Sequence, residues 1–102
     1  MLAVMRWTLP ALLLLAASAQ AADFKVEQKG RAFRPNEISI ARGQAVTFTN
    51  ADSFIHQIYV DGLFDSEEQA PGQNLNETFR DAGTFQVRCH IHPTMRMIVH
   101  VK

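Results

Sequence analysis

Short runs of alternating apolar and polar residues, separated by turn residues, follow one another along most of this chain. Such alternation places successive side chains on opposite faces of a strand, so that one face can be buried. The seven runs that show it are residues 24–27, 37–40, 46–48, 56–60, 75–80, 84–89 and 96–101. Because no stretch shows a sustained helical period, the pattern predicts an all-β sandwich or small barrel of about seven to eight short strands.

Two further features of the pattern concern a loop and the positions of a histidine and a cysteine. Residues 63–74 contain Pro71-Gly72 and have no clear period, which predicts a long surface loop. Strand parity places His56 on the same face as the apolar residues two and four positions after it. Parity likewise places Cys89 on the face of the apolar residues two and four positions before it. An imidazole and a thiol are therefore expected on core-facing sides of two strands.

Residues 1–21 have the composition of a secretory signal peptide. Arg6 supplies a positive charge, residues 9–17 are apolar, and Ala19-Gln20-Ala21 fits a small-x-small cleavage site. We expect cleavage after Ala21, which leaves residues 22–102 as a single domain in the periplasm. An uncleaved membrane anchor is the alternative, although nine apolar residues are too few to span a bilayer.

Charge and cysteine content exclude several classes of protein. The full chain has 10 Lys and Arg against 10 Asp and Glu, and removal of Arg6 with the leader leaves nine against ten. There is no basic excess that would hold a nucleic-acid backbone. A single Cys excludes an intrachain disulfide, a four-Cys zinc site and a four-Cys iron–sulfur cluster. An unpaired thiol in an exported protein is prone to oxidation, and its presence needs an explanation.

The C-terminal segment concentrates ligands of the kind that copper prefers. Cys89, His92 and Met95 lie within seven residues, and His56 approaches from an earlier strand. Two imidazoles, one thiolate and a weak thioether are the ligand set of a blue-copper centre, whereas zinc seldom uses thioether. We therefore expect these four residues to bind one copper ion, which would also protect the lone thiol. Zinc occupancy in the cell remains an alternative.

With these residues in view, the chain resembles a small cupredoxin of the plastocyanin, pseudoazurin and amicyanin group. The resemblance covers residues 24–102, where the matching features occur in the family's order. They are Phe33-Arg34-Pro35, the Gly43 turn, Val46-Thr47-Phe48-Thr49-Asn50, His56, Pro71-Gly72, Gly83-Thr84-Phe85 and Cys89 to Met95. The resemblance implies a cupredoxin-like Greek-key β-sandwich with one type 1 copper ion.

The resemblance leaves a choice between two axial ligands. The spacing Cys89-x2-His92-Pro93-x-Met95 is closest to that of amicyanin, whereas Met97 lies at the distance found in plastocyanin. In the family, the last strand follows closely after the ligand Met. Residues 96–101 fill that role if Met95 is the ligand, and Met97 would then pack in the core. We favour Met95.

The resemblance also implies roles for residues around the ligands. Asn50 takes the position of an Asn that borders the Cys ligand, and Gln57 replaces an Asn that ties two ligand loops together. With Pro93, they are expected to contact and orient the ligands. His92 should be the ligand nearest solvent, inside an apolar patch for partner docking. That patch comprises Phe54, Ile55, Ile91, Pro93 and Thr94. His90 and His100, by parity, should face solvent.

The implied function is one-electron shuttling between Cu(II) and Cu(I) by a protein that is not an enzyme. By family analogy, a cytochrome c or a periplasmic dehydrogenase is the expected partner. The protein would meet it transiently as a monomer, without nucleic acid or a stable membrane anchor. One alternative is a copper storage or delivery protein that uses His90 and Met97 as extra ligands. Another is an accessory domain that acts through protein contacts.

Overall fold

Nine β-strands follow one another in the computed structural model, which describes residue 3 and residues 23–102. They are β1 (Phe24–Gln28), β2 (Phe33–Arg34), β3 (Glu37–Ile40), β4 (Ala45–Asn50), β5 (Ile58–Val60), β6 (Phe64–Asp65), β7 (Asn74–Thr78), β8 (Gly83–Cys89) and β9 (Arg96–Val101). Each of the seven predicted runs overlaps one of these strands. The predicted signal peptide and its cleavage site lie outside the described residues. None of the described residues forms a helix that could serve as a membrane span.

The strands form two sheets, and each sheet combines antiparallel pairs with one parallel pair. One sheet has the order β2-β1-β4-β7 and the other β3-β9-β8-β5-β6. β1 runs parallel to β4, and β3 runs parallel to β9. This arrangement confirms the predicted all-β sandwich.

Alternation along the strands builds the core between the sheets. In β4, Val46 and Phe48 are buried while their neighbours are half-exposed, and β9 shows the same alternation. The Phe48 ring lies 6.4 Å from that of Phe33 in one sheet and 6.2 Å from that of Phe64 in the other. Phe48 therefore joins the two sheets through aromatic contacts.

The prediction of a surface loop over residues 63–74 was partly wrong. Phe64–Asp65 forms β6 at the edge of the second sheet, and Ser66 and Gln69 are buried. The Gln69 side chain accepts a hydrogen bond from Gln28 and donates to the carbonyl of Phe48. Because these buried residues are polar, the segment has no apolar period from which its burial could be predicted.

Replacing Phe48 should destabilise the sandwich strongly. Phe48→Ala is expected to lower the free energy of unfolding by about 3–5 kcal/mol, because it removes the ring that contacts both sheets and leaves a cavity. Urea unfolding measures this change. Ile98→Ala is the control, since Ile98 is 37% exposed on β9, and loss of its β-branched side chain should cost only about 1 kcal/mol. Equal losses in the two variants would contradict this description of the core.

Candidate metal centre

Three potential metal ligands converge between β5 and β8. His56 precedes β5, Cys89 ends β8, and His92 lies in the loop before β9. The Sγ atom of Cys89 lies 3.7 Å from Nδ1 of His56 and 3.9 Å from Nδ1 of His92. One donor atom from each residue lies within 4.8 Å of the other two. The structure thus brings together three of the four predicted ligands.

The register of the second sheet explains why these residues meet. Ile58 of β5 stands opposite Cys89 of β8. Beyond that pair, the backbone N–H of His90 donates to the carbonyl of Gln57 at 2.8 Å. These contacts hold the end of β8 beside the residue that follows His56. Both His56 and Cys89 are buried, on the core-facing sides that strand parity predicted.

His56 is held by hydrogen bonds at both its backbone and its ring. Its N–H donates to the carbonyl of Gln69 at 3.1 Å, and its carbonyl accepts from the Gln69 N–H at 2.7 Å. Its Nε2 lies 2.8 Å from Oδ2 of Asp52. When Nε2–H donates to this carboxylate, Nδ1 carries the lone pair, and it faces Cys89. The ring is therefore oriented for metal binding.

Asp52 is a residue of the site that the sequence did not single out. Its Oδ1 accepts the N–H of Gly30 at 2.7 Å, and Oδ2 accepts the N–H of Arg31 at 3.3 Å in addition to His56. Burial opposes ionisation, but these hydrogen bonds outweigh it and hold the pKa of Asp52 below its ordinary value. The available signal was an Asp four residues before His56. In a polar segment, that signal does not separate a buried carboxylate from an exposed one.

His92 is the less buried of the two imidazoles. Its ring centroid lies 5.1 Å from that of Phe54 and 5.1 Å from that of His56. Burial lowers the pKa of His92 below its ordinary value. The neighbouring His56 and the positive charge of Arg31 lower this pKa as well, and the negative charge of Asp52 acts against them. A lowered pKa keeps the imidazole neutral and able to bind a metal at neutral pH.

Met95 and Met97 are both 1% exposed but differ in position. Met95 precedes β9, and its N–H donates to the carbonyl of His92 at 2.9 Å, which closes the turn that carries His92. Met97 lies within β9 opposite the buried Val87 and shares a face with Val99. Met97 therefore has the position of a core residue, whereas Met95 belongs to the ligand loop.

Asn50 organises the segment before His56. Its Nδ2 donates to the carbonyls of Phe54 at 2.8 Å and Gln69 at 2.9 Å, and its Oδ1 accepts the N–H of Asp52 at 3.0 Å. These bonds fix the turn that presents Asp52 to His56. A position that directly borders Cys89 stays a prediction.

Gln57 and Pro93 are the other residues predicted beside the ligands. The Gln57 side chain donates to the carbonyl of Ser66 at 3.1 Å, and its own carbonyl accepts from His90. Gln57 thus connects the segment after β6 to the segment after β8. Pro93 is exposed next to His92.

The five residues of the predicted docking patch lie at or near the surface. Exposure reaches 41% for Ile55 and 45% for Ile91, and only one of the five is half-buried. The members are Phe54, which is the half-buried one, Ile55, Ile91, Pro93 and Thr94. Large apolar side chains exposed beside a polar site are typical of contact surfaces.

His90 and His100 reach solvent, as parity predicted, and each pairs with a carboxylate. Nε2 of His90 lies 3.1 Å from both oxygens of Asp65, and its ring stacks on Tyr59 at 3.9 Å. Nε2 of His100 lies 2.7 Å from Oε1 of Glu37. Both pairs lie on the outer face of the second sheet, away from the core side occupied by Cys89.

Comparisons with known proteins agree with this geometry. Residues 1–101 match the model of the cupredoxin-like domain. The chain is 33% identical over 94 residues to chloroplastic plastocyanin of Physcomitrium patens, and the matched region covers 78% of this chain and 56% of the relative. It is 29% identical over 105 residues to that of Silene latifolia subsp. alba, which covers 83% and 61%. The chain thus spans little more than half the length of these relatives.

Solved structures show the same fold. The oxidised state of a proline-to-alanine mutant of amicyanin superposes with a TM-score of 0.74 at 25% identity, over 82% of this chain and 88% of amicyanin. A copper-containing nitrite reductase from Thermus scotoductus SA-01 gives 0.72 at 26% identity, over 78% of this chain and 22% of the reductase. With these likenesses, the two-His, one-Cys cluster supports a single type 1 copper site. This chain belongs to the cupredoxin-like domain family.

Proposed function

We propose that this chain is a periplasmic electron carrier that binds one copper ion through His56, Cys89 and His92. The observation that carries the proposal is the convergence of two Nδ1 atoms on one Sγ, at 3.7 and 3.9 Å. At the bond lengths known for zinc, about 2.3 Å through sulfur and about 2.0 Å through nitrogen, two ligands of a trigonal site lie about 3.7 Å apart, so the spacing fits one metal ion. Met95, buried in the same loop, is the axial ligand in this proposal.

Copper in this site supplies a one-electron change between Cu(II) and Cu(I). The chain supplies ligands that are held before the metal arrives. Gln69 and Asp52 fix His56, and pairing with β5 fixes Cys89. A ligand set held in this way rearranges little when the charge of the metal changes, which suits repeated electron transfer.

His92 provides the route to a partner in this proposal. It is less buried than His56, and the exposed side chains of Ile55 and Ile91 lie in the segments next to the two imidazoles. A patch of this kind suits a small and transient contact with a redox protein. A cytochrome c or a periplasmic dehydrogenase, met by a monomeric carrier, is the class of partner we propose.

Two observations favour electron transfer over the alternatives. Copper delivery was expected to use His90 and Met97 as extra ligands, yet His90 pairs with Asp65 and Met97 packs opposite Val87. The likeness to the nitrite reductase spans 22% of that enzyme's chain and concerns one part of it. We therefore propose a carrier, not an enzyme.

Optical titration tests the proposed function. Protein loaded with one equivalent of Cu(II) should absorb visible light intensely, lose the band on reduction and regain it on oxidation. Cys89→Ser is the control, because without the thiolate the band should be absent. A colourless wild-type protein that passes Cu(I) to a chelator would contradict electron transfer and support delivery.

Removing the Asp52 carboxylate should weaken copper binding. Asp52→Ala is expected to lower the affinity about 10- to 100-fold, because His56 loses the partner that orients its ring. Asp52→Asn should cost less, since its amide oxygen can still accept from His56, while its NH2 group then faces the N–H of Gly30 and loses that hydrogen bond. Competition with a chelator measures the affinity, and urea unfolding shows whether each variant is folded. Asp61→Asn, on an exposed residue, is the control, and an unchanged affinity in a folded Asp52→Ala would contradict the role of Asp52.

Two methionine variants test the axial assignment. Met95→Leu should change the reduction potential and the visible spectrum, because the axial ligand tunes this kind of centre. Met97→Leu should leave both unchanged and cost less than about 1.5 kcal/mol of unfolding free energy. Loss of the band in Met97→Leu, with Met95→Leu unaffected, would assign the axial position to Met97.

A further inference from the structure

The turn between β1 and β2 is anchored to the metal centre through Arg31. The backbone φ angle of Arg31 is 56°, and among the described residues Arg31 is the one non-glycine with a positive φ. This conformation is uncommon for a residue with a Cβ and persists where the surroundings enforce it. Here the N–H of Arg31 donates to Oδ2 of Asp52, the atom that also faces Nε2 of His56.

The same residue carries its charge towards the exposed side of the site. The Arg31 guanidinium carbon lies 5.2 Å from the centroid of the Phe54 ring, a cation–π contact. That ring lies 5.2 Å from His56 and 5.1 Å from His92. Because Arg31 is exposed, its positive charge is held at the surface beside the less buried of the two imidazoles.

Two other cationic side chains near this turn add to the positive charge of Arg31. Nζ of Lys29 donates to the carbonyl of Ala51 at 3.0 Å, and the guanidinium of Arg34 packs against Gly30. Asp52 is 8% exposed, and both of its oxygens accept hydrogen bonds. Two carboxylates oppose these three cations: Asp52, and Glu27, which stands opposite Arg34 in the β1–β2 pair. The turn therefore keeps a local positive excess in a chain with equal numbers of acidic and basic residues.

We propose that Arg31, supported by Lys29 and Arg34, selects an acidic redox partner, a protein whose exposed redox centre is bordered by carboxylates. The apolar patch around His92 provides contact area, while the cations orient the partner and speed its association. The inference rests on the proposed carrier function and names the charge class of its partner. One electron passes from the reduced centre of one protein to the oxidised centre of the other, and no proton needs to move.

A redox-inert probe tests the surface without any electron transfer. Hexacyanochromate(III) is a paramagnetic trianion that broadens the amide signals of residues near its binding site. In the diamagnetic Cu(I) protein, we expect broadening at residues 30–31, 54–55 and 91–94.

Three variants test the role of Arg31 in this broadening. Arg31→Gln should weaken the broadening about threefold or more, whereas Arg31→Lys should retain it. Arg80→Gln removes the same charge from an exposed position after β7 and should leave it unchanged. Equal effects of Arg31→Gln and Arg80→Gln would overturn the proposal.

Stopped-flow kinetics test the consequence for electron transfer. Arg31→Glu should slow oxidation of the reduced carrier by ferricyanide about three- to tenfold at low ionic strength and speed oxidation by tris(phenanthroline)cobalt(III), with both effects shrinking in salt. A flavodoxin with carboxylates around its flavin should reduce the oxidised wild type faster than Arg31→Glu by a similar factor. Arg80→Glu, with the same change in net charge, should alter each rate less than about twofold.

The outcomes separate this inference from the function on which it rests. If Arg31→Glu and Arg80→Glu change the rates equally, the selection of an acidic partner is wrong and the carrier function stands. If the wild type exchanges electrons with none of the three reagents, the carrier function fails, and the inference fails with it.

Discussion

The arrangement of the site depends on the hydrogen bonds that the buried carboxylate of Asp52 accepts. It accepts hydrogen bonds from His56 and from the backbone of Gly30 and Arg31, so one charged group fixes a ring and a neighbouring turn. A buried carboxylate is costly unless its oxygens are satisfied, and here three donors satisfy them. Because Oδ2 of Asp52 holds both the ring of His56 and the backbone N–H of Arg31, the geometry of the metal centre is linked to the turn that carries the surface charge.

Much of the fold could be predicted from the sequence, because alternation determines which side chains are buried. The strands over 37–40 and 96–101 have the predicted bounds, and parity placed His56 and Cys89 on buried faces. The same argument put Met97 in the core, where it lies opposite Val87. These successes share a cause, since period-2 patterning is a local property that the sheets preserve.

The remaining features depend on contacts between distant segments. Ser66 and Gln69 are polar, so nothing local indicated that residues 63–74 are partly buried. Asp52 was not singled out because its role depends on His56 together with the β1–β2 turn. The balanced net charge gives no sign of a charged patch, whereas Arg31 places a local positive charge beside Phe54. Net charge is a sum over the surface, and a partner meets only one part of it.

The proposed electron transfer depends on the binding of one copper ion by His56, Cys89 and His92 together. X-ray absorption spectroscopy of the copper-loaded protein tests it most directly, because the scattering identifies the atoms bound to the metal. We expect one short sulfur contact and two imidazole nitrogens in the wild type, with the short sulfur absent in Cys89→Ser and one imidazole absent in His92→Ala. A first shell of oxygen and nitrogen alone in the wild type, or a short sulfur contact that survives Cys89→Ser, would contradict it.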